Sequence, residues 1–533
     1  MHEHRGTILL LLGFVAIMVA SISSCSHYAG QDGATQGTPS LWAMAGQDLS
    51  NSRNQPTETA ITAANVSTLT TKWVFTTGAS VSATPTVASD AVYFPDWAGN
   101  LYAVNRETGQ QIWAATMSSY DGVTGAVSRV SPTLYGNLII LGDNLGGLGP
   151  HQGASVMAVN RETGELVWIT KVDPHVAAII TGSAVVSGSV VYQGVSSAEE
   201  EYATSASYAC CTFRGSVVAL NAATGQIVWQ TYDMPANNGA TNQYSGGAVW
   251  QPPVVDAVHN MLYVGTGNNY SAPQSVLTCQ QNDITNATGC SAADDYYDSV
   301  IGLNLTTGAV EWGRKLEGYD TWTAACVGNP GNPCPSPPGP DYDFGGSGGN
   351  LLSNMNMVGF GAKSGYYYAL NPATGAVLWD LSVGPGGNNG GIQWGTATDG
   401  TRIYVNITNN EHSPYKLASG QTITGSAWNA LDPLTGNVLW QTPDPLQGSS
   451  FNISAVSVAN GVLYSGDRDG TMYALDASNG KILWSFKTAG TVVDGPSIAD
   501  GVVYWASGYA RGGGTGNNKV YAFALANAAA AAK

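Results

Sequence analysis

The sequence predicts an all-β fold, an eight-bladed β-propeller whose ring is closed by the chain's own two ends. Three observations carry the prediction. The first is a repeat of Asn or Asp, Gly four residues on, and Trp four residues later, at 105–113, 160–168, 221–229, 304–312, 371–379, 432–440 and 476–484. In copies such as AVNRETGQQIW and ALNPATGAVLW, an apolar strand runs into a tight turn and out as a second strand. Asn or Asp opens such a turn through its own side chain, Thr supports it, and Gly supplies a positive φ. The closing Trp is a large flat anchor to bury against the next unit. The second observation is the spacing between those Trp residues, 55, 61, 83, 67, 61 and 44, which is blade-sized with loop insertions. The third is composition: 67 of 533 residues are Gly, 10% are charged and 9% aromatic, which suits many short strands and turns rather than helices.

Taken in order, the chain opens on an export leader, residues 1–25. Arg5 precedes an apolar run at 8–20 that is too short to span a membrane, and Ile22-Ser23-Ser24-Cys25 resembles the lipobox of bacterial lipoproteins. The expectation is a protein of the periplasm or cell envelope, anchored by an acylated Cys25 or released by ordinary cleavage nearby. Residues 26–40 read as a flexible tether. A single propeller is expected over 41–527, with a short tail at 528–533. Its eighth blade is split: residues 69–75 supply Trp73, 40 residues before Trp113, and residues 519–525 (KVYAFAL) supply a strand with no Trp after it. Joining them completes the ring and removes exposed sheet edges.

Six cysteines follow the leader, an even number in an exported chain. Cys279 with Cys290 and Cys326 with Cys334 are spaced as local loop staples. The adjacent Cys210 and Cys211 are expected to form a vicinal disulfide, against the plainer reading of two free thiols. A net charge of −17 without a basic patch disfavours nucleic acid and anionic lipid surfaces, leaving a lipid anchor as the only membrane contact. No Cys-x-x-Cys-His occurs, so no c-type haem is expected, and no Gly-rich nucleotide loop opens a helix.

The segment Trp42…Asn51-Ser52-Arg53…Ala64-Asn65-Val66…Leu69…Trp73, with the repeats to Leu525, resembles the pyrroloquinoline quinone (PQQ) dehydrogenases. That resemblance implies an eight-bladed propeller with PQQ on its axis and a set of site residues between the repeats. Asn268, ending LYVGTGN, takes the place of the amide that binds the metal. Trp250, eighteen residues earlier, takes that of the indole on which the quinone lies flat. The acidic turn in VVYQGVSSAEEE offers Glu199 as the carboxylate ligand, with Glu200 the alternative; Glu, an amide and cofactor oxygens suit a hard cation. After Tyr319-Asp320-Thr321-Trp322 and a Pro/Gly-rich insertion, Asp341-Tyr342-Asp343 supplies the general base, Asp341, with Asp343 the fallback. Both also count as metal ligands, because in lanthanide-dependent members an extra Asp at the offset of Asp343 enlarges the oxygen cage. Calcium is expected, with a lanthanide open. Lys363 corresponds to the cation that reaches the quinone carbonyls, and Arg129 and Thr181 to partners of the PQQ carboxylates.

CCTFRGSVVALNAATG is most similar to the polyvinyl alcohol branch of that family, in which Cys210 and Cys211 would cap the quinone face. The implied activity is oxidation of secondary or polymeric alcohols by hydride transfer to PQQ. Electrons would pass to a separate cytochrome c or another carrier. The competing reading is a non-catalytic propeller lipoprotein acting as an envelope assembly scaffold.

Overall fold

The computed structural model describes residues 40–145, 153–283, 287–327, 334–344 and 348–526. The leader, Cys25, the tether up to residue 39 and the tail 528–533 lie outside the described residues. Eight antiparallel sheets, each built on four strands, follow one another along the chain. Blade 1 runs through Thr86–Ala88, Ala91–Pro95, Asn100–Asn105 and Gln111–Thr116. Blades 2 to 7 repeat it and end on Leu166–Asp173, Ile227–Tyr232, Val310–Lys315, Val377–Ser382, Val438–Pro443 and Ile482–Lys487. Blade 8 is the split one. Leu69–Thr76 pairs antiparallel with Lys519–Leu525, which continues through Val502–Ser507 to Ser497–Ala499.

The repeat's Trp holds neighbouring blades together. Seven of the eight indole N–H groups donate to the carbonyl of the residue after the turn-opening Asn or Asp of the next blade. Trp73 reaches the carbonyl of Arg106, Trp113 that of Arg161, Trp168 that of Ala222 and Trp229 that of Leu305, all at 2.9–3.0 Å. Trp312, Trp379 and Trp440 do the same to Pro372, Pro433 and Ala477 at 2.9–3.1 Å. Trp484 closes the circle onto Leu69 at 3.2 Å. The turns that receive them are built as their sequence requires: Asn105 Oδ1, for example, accepts the N–H groups of Glu107 and Thr108.

Glycine in these turns answers two demands at once. Gly308 has φ +73°, and a Cβ there would lie 2.5 Å from the ring of Trp229. Gly188 has φ +57° but open space around it. Gly188→Ala should therefore cost only the left-handed backbone penalty, about 1–2 kcal/mol. Gly308→Ala should cost at least ~1 kcal/mol more, because the indole must leave its seat. Denaturant midpoints of the two variants measure the difference, and equal midpoints would remove the interlock from the account.

Strand direction decides where the chemistry lies. First strands of adjacent blades touch one another, as in blades 2 and 3, 3 and 4, and 8 and 1, so they circle the axis. Because the strands alternate in direction, the entry to each first strand and the exit from each second strand share one face. The Asn/Asp turns lie on the other. The long insertions 198–215, 266–298 and 316–349 all belong to the first face, and each carries a disulfide: Cys210–Cys211, Cys279–Cys290 and Cys326–Cys334.

Candidate active site

Both kinds of connection on that face feed one cavity of about 280 Å³. Segments entering first strands bring Arg129, Thr181, Trp250, Trp394 and the pair Asp341 and Asp343, while exits from second strands bring Glu200, Asn268 and Lys363. Residues far apart in sequence thus meet because blades 2 to 6 present equivalent strand ends to one axis.

The acidic side of the cavity is tightly organised. The buried ammonium of Lys363 lies 2.7 Å from both Asp341 Oδ1 and Asp343 Oδ2. Asp343 Oδ1 accepts the backbone N–H of Asn268 at 2.8 Å, so each of its oxygens has a protein donor. Asp341 differs: among the described residues only its Oδ1 is engaged, which leaves Oδ2 to meet a hydroxyl. Asp341 sits at φ +64°, in the left-handed region. Asp320 holds it there, its carboxylate accepting the N–H groups of Asp341 at 3.0 Å and Tyr342 at 2.5 Å. Burial pushes the Asp341 carboxyl well above the usual carboxylate range; Lys363 opposes this, and the charges of Asp343 and Glu200 reinforce it. Burial alone would lower the Lys363 ammonium, but Asp341, Asp343 and Glu200 outweigh it and keep the group charged. A buried base with a raised pKa holds a proton better than an exposed carboxylate does.

Asn268 donates its amide N–H groups to the carbonyls of Trp322 at 2.8 Å and Asn269 at 3.0 Å. Its amide oxygen is the polar atom left for the cavity. Glu200 is also held well above the usual range, first by burial and then by Glu201, with Lys363 opposing. Glu200, Asp341, Asp343 and the Asn268 oxygen line the same cavity and offer only oxygen donors, the kind a hard cation takes. Among the described residues no three acidic, histidine or cysteine side chains close on one point; the ammonium of Lys363 stands between the two aspartates.

Aromatic groups form another wall. Trp250 and Trp394 pack edge to face at 5.6 Å, and the Lys363 ammonium is 5.9 Å from the Trp250 ring. The Arg129 guanidinium stacks 4.5 Å from the Trp394 ring. A flat indole flanked by two cations fits a planar, polyanionic quinone.

Three expected residues fall elsewhere. Glu199 is fully buried, its carboxylate accepting Tyr208 OH and the N–H groups of Thr212 and Phe213, each at 2.8 Å. Its role is to fasten the chain after the cysteine pair, and the acid on the cavity is the next one, Glu200. Cys210 and Cys211 are bridged but are not among the cavity-lining residues; Cys211 packs in a core cluster with Phe213. Trp394, Trp322, Tyr270, Asn388, Asn389 and Gln393 also line the cavity without having been singled out in the sequence. Trp322 and Trp394, like Trp250, stand outside the repeat's own Trp series, which is the one signal that sets them apart in the sequence.

A family model described as outer membrane protein assembly factor BamB matches residues 52–207, 123–314 and 424–531, overlapping as repeats of one kind do. Polyvinylalcohol dehydrogenase of Sphingopyxis sp. (strain 113P3) is 31% identical, the alignment covering 92% of this chain and 77% of that protein. Polyvinylalcohol dehydrogenase of a Pseudomonas sp. is 30% identical over 89% of this chain and 74% of its own. Among solved structures, quinohemoprotein alcohol dehydrogenase from Comamonas testosteroni shares the fold with a TM-score of 0.68 at 19% identity, over 91% of this chain and 80% of that one.

Proposed function

This chain belongs to the PQQ-dependent quinoprotein alcohol dehydrogenases, and from that premise we propose that it oxidises secondary or polymeric alcohols of the polyvinyl alcohol kind. The observation that carries the site reading is the convergence of Trp250, Asn268, Asp341, Asp343 and Lys363 on one cavity. The matched repeats are what a scaffold propeller also has; a scaffold has no use for a buried, polar, charge-loaded cavity on its axis.

Bound PQQ supplies the hydride acceptor, and a metal ion beside it supplies Lewis acidity. Glu200, Asn268, Asp341 and Asp343 would hold that ion, calcium first and a lanthanide second. Trp250 would offer its flat face to the planar ring, and Arg129 and Thr181 would bind its carboxylates. Asp341 Oδ2 takes the hydroxyl proton of the alcohol as its C–H bond breaks. Lys363 fixes Asp341 through Oδ1 and would supply positive charge to the bound quinone. Asp343 anchors Lys363 to the Asn268 backbone and keeps the set rigid.

Electrons would leave to a separate cytochrome c or another carrier. From the leader we infer a protein of the periplasm or cell envelope, anchored through an acylated Cys25 or otherwise released by ordinary cleavage.

Dye-coupled turnover of the PQQ- and calcium-loaded protein tests the substrate class. Secondary alcohols and polyvinyl alcohol should give a higher kcat/KM than methanol or ethanol. Turnover confined to short primary alcohols would overturn the assignment.

A further inference from the structure

The connection from blade 6 to blade 7, residues 444–455, puts Phe451 and Ile453 into the wall of a second cavity of about 190 Å³, which shares Asn389, Gln393 and Trp394 with the first. Two buried carboxylates fasten this connection at its root. Asp444 opens it directly after the outer strand Val438–Pro443, and Asp467 lies where the chain leaves the second strand of blade 7, Val462–Gly466. Asp444 Oδ1 accepts the N–H of Leu446 at 2.8 Å, while Asp467 Oδ1 accepts the Ser450 hydroxyl and the N–H of Asp469. Both Oδ2 atoms are buried without an N–H or O–H donor, and the two carboxyl groups are in hydrogen-bond contact with each other.

Two carboxylates in such contact cannot both ionise unless a positive charge compensates them. Among the described residues neither forms an ion pair with Lys, Arg or His, and the cations beside them are engaged elsewhere. Lys487 pairs with Asp469, and the Arg468 guanidinium stacks 4.4 Å from the Phe451 ring and donates to the carbonyl of Gly512 at 3.0 Å. The other titratable groups around the pair are Asp469, which adds negative charge, and Tyr473, while His412 packs against the Phe451 ring. A proton between the carboxyl groups gives each the partner it lacks. Burial and Asp467 push the Asp444 carboxyl up to about 9, with the N–H of Leu446 opposing them.

We propose that Asp444 and Asp467 share one proton and that this proton is a pH-operated latch: while it is held, residues 444–451 stay fastened to the turn at 467–470, and in alkali they come free and open the wall of the second cavity. The latch stands on this contact alone, whatever the axis binds. The Ser450 hydroxyl bond to Asp467 ties the far end of the segment to the same carboxylate, so release there reaches Phe451. In the closed state Asp444 keeps its proton far above the usual carboxylate range; released into water, it returns to about 3.9. Latching is therefore complete below about pH 4, weakens as pH rises and is spent above about 9.

Hydrogen exchange of the full chain, read on peptides spanning 444–453 and corrected for the intrinsic rate at each pH, measures the opening. In the wild type, opening should rise at least about 10-fold between about pH 6 and about pH 8.5, because one proton is linked to the step. Asp444→Asn and Asp467→Asn each put an amide N–H where the shared proton lies. Either substitution should hold the segment closed and flatten the rise, so the test survives if one variant fails to fold. Added calcium should leave exchange of the segment unchanged. No rise in the wild type, or a rise of equal size in the folded variants, overturns the latch. Protection of the segment by calcium that Asp444→Asn abolishes also overturns it, and makes the pair a cation site instead.

Discussion

Asp341→Asn should lower kcat by about 10²–10⁴-fold, the span a positioned general base contributes, while PQQ remains bound. The asparagine amide keeps the size of the side chain and can still present an oxygen to the Lys363 ammonium. The surrounding frame should therefore stand: Asp320 grips the backbone of residues 341 and 342, and Asp343 ties Lys363 to Asn268. What the amide cannot do is accept the hydroxyl proton. Asp343→Asn provides the contrast. Asp343 has both oxygens engaged by protein donors, so its loss should loosen Lys363 and weaken cofactor retention more than it slows chemistry. A kcat for Asp341→Asn within a few-fold of wild type, at full PQQ occupancy, would remove Asp341 from the base role.

The second large effect separates two adjacent glutamates. Glu200→Gln should leave the fold intact and weaken metal-dependent PQQ retention by about 100-fold or more, since the loss of even an outer-sphere metal partner costs 10–100-fold. Glu199→Gln should do the reverse. Its carboxylate accepts three hydrogen bonds in a fully buried place, and an amide there sets an N–H₂ against at least one N–H or O–H donor. A stability loss of about 3 kcal/mol is expected, the scale of a buried donor left without its acceptor. Equilibrium dialysis with PQQ and calcium reads the first effect and thermal denaturation the second. Loss of PQQ retention in Glu199→Gln at unchanged stability would return the ligand to that residue.

These two glutamates also mark how far sequence reasoning reaches. The ring was legible because its signal is periodic and local. Asn105, Gly109 and Trp113 perform their tasks within one turn and the next blade's edge, and every later copy repeats them. The split eighth blade was legible for the same reason, since an unpaired Trp73 strand and an unclosed 519–525 strand each lack what the other supplies. Axial residues follow no period. Trp250, Asn268, Asp341, Asp343 and Lys363 were found through a family pattern, and they meet on one cavity.

The register inside the acidic turn was another matter. Glu199–Tyr202 is a single helical turn, so successive carboxylates point about 100° apart. Sequence alone does not say which of them faces the core and which the axis. Cys210 and Cys211 were drawn to the quinone face by analogy, whereas in the fold the Glu199 carboxylate binds the N–H groups just after them and their place is beside the core. Trp394 lies in a Gly-rich stretch at φ +63°, where neither strand nor helix spacing flags it and only its place outside the repeat series sets it apart. Its surroundings appear in the fold, where Trp250, Arg129 and Tyr509 pack around it.

The central claim is that this axis holds PQQ through a metal and uses it on alcohols. Its most direct test is titration of the mature chain with PQQ in the presence of Ca²⁺ or La³⁺, followed by dye reduction with a secondary alcohol. The account predicts saturable PQQ binding that requires the metal, together with alcohol-dependent dye reduction. Absence of PQQ binding with either ion would contradict it and leave a propeller with a cavity of another purpose.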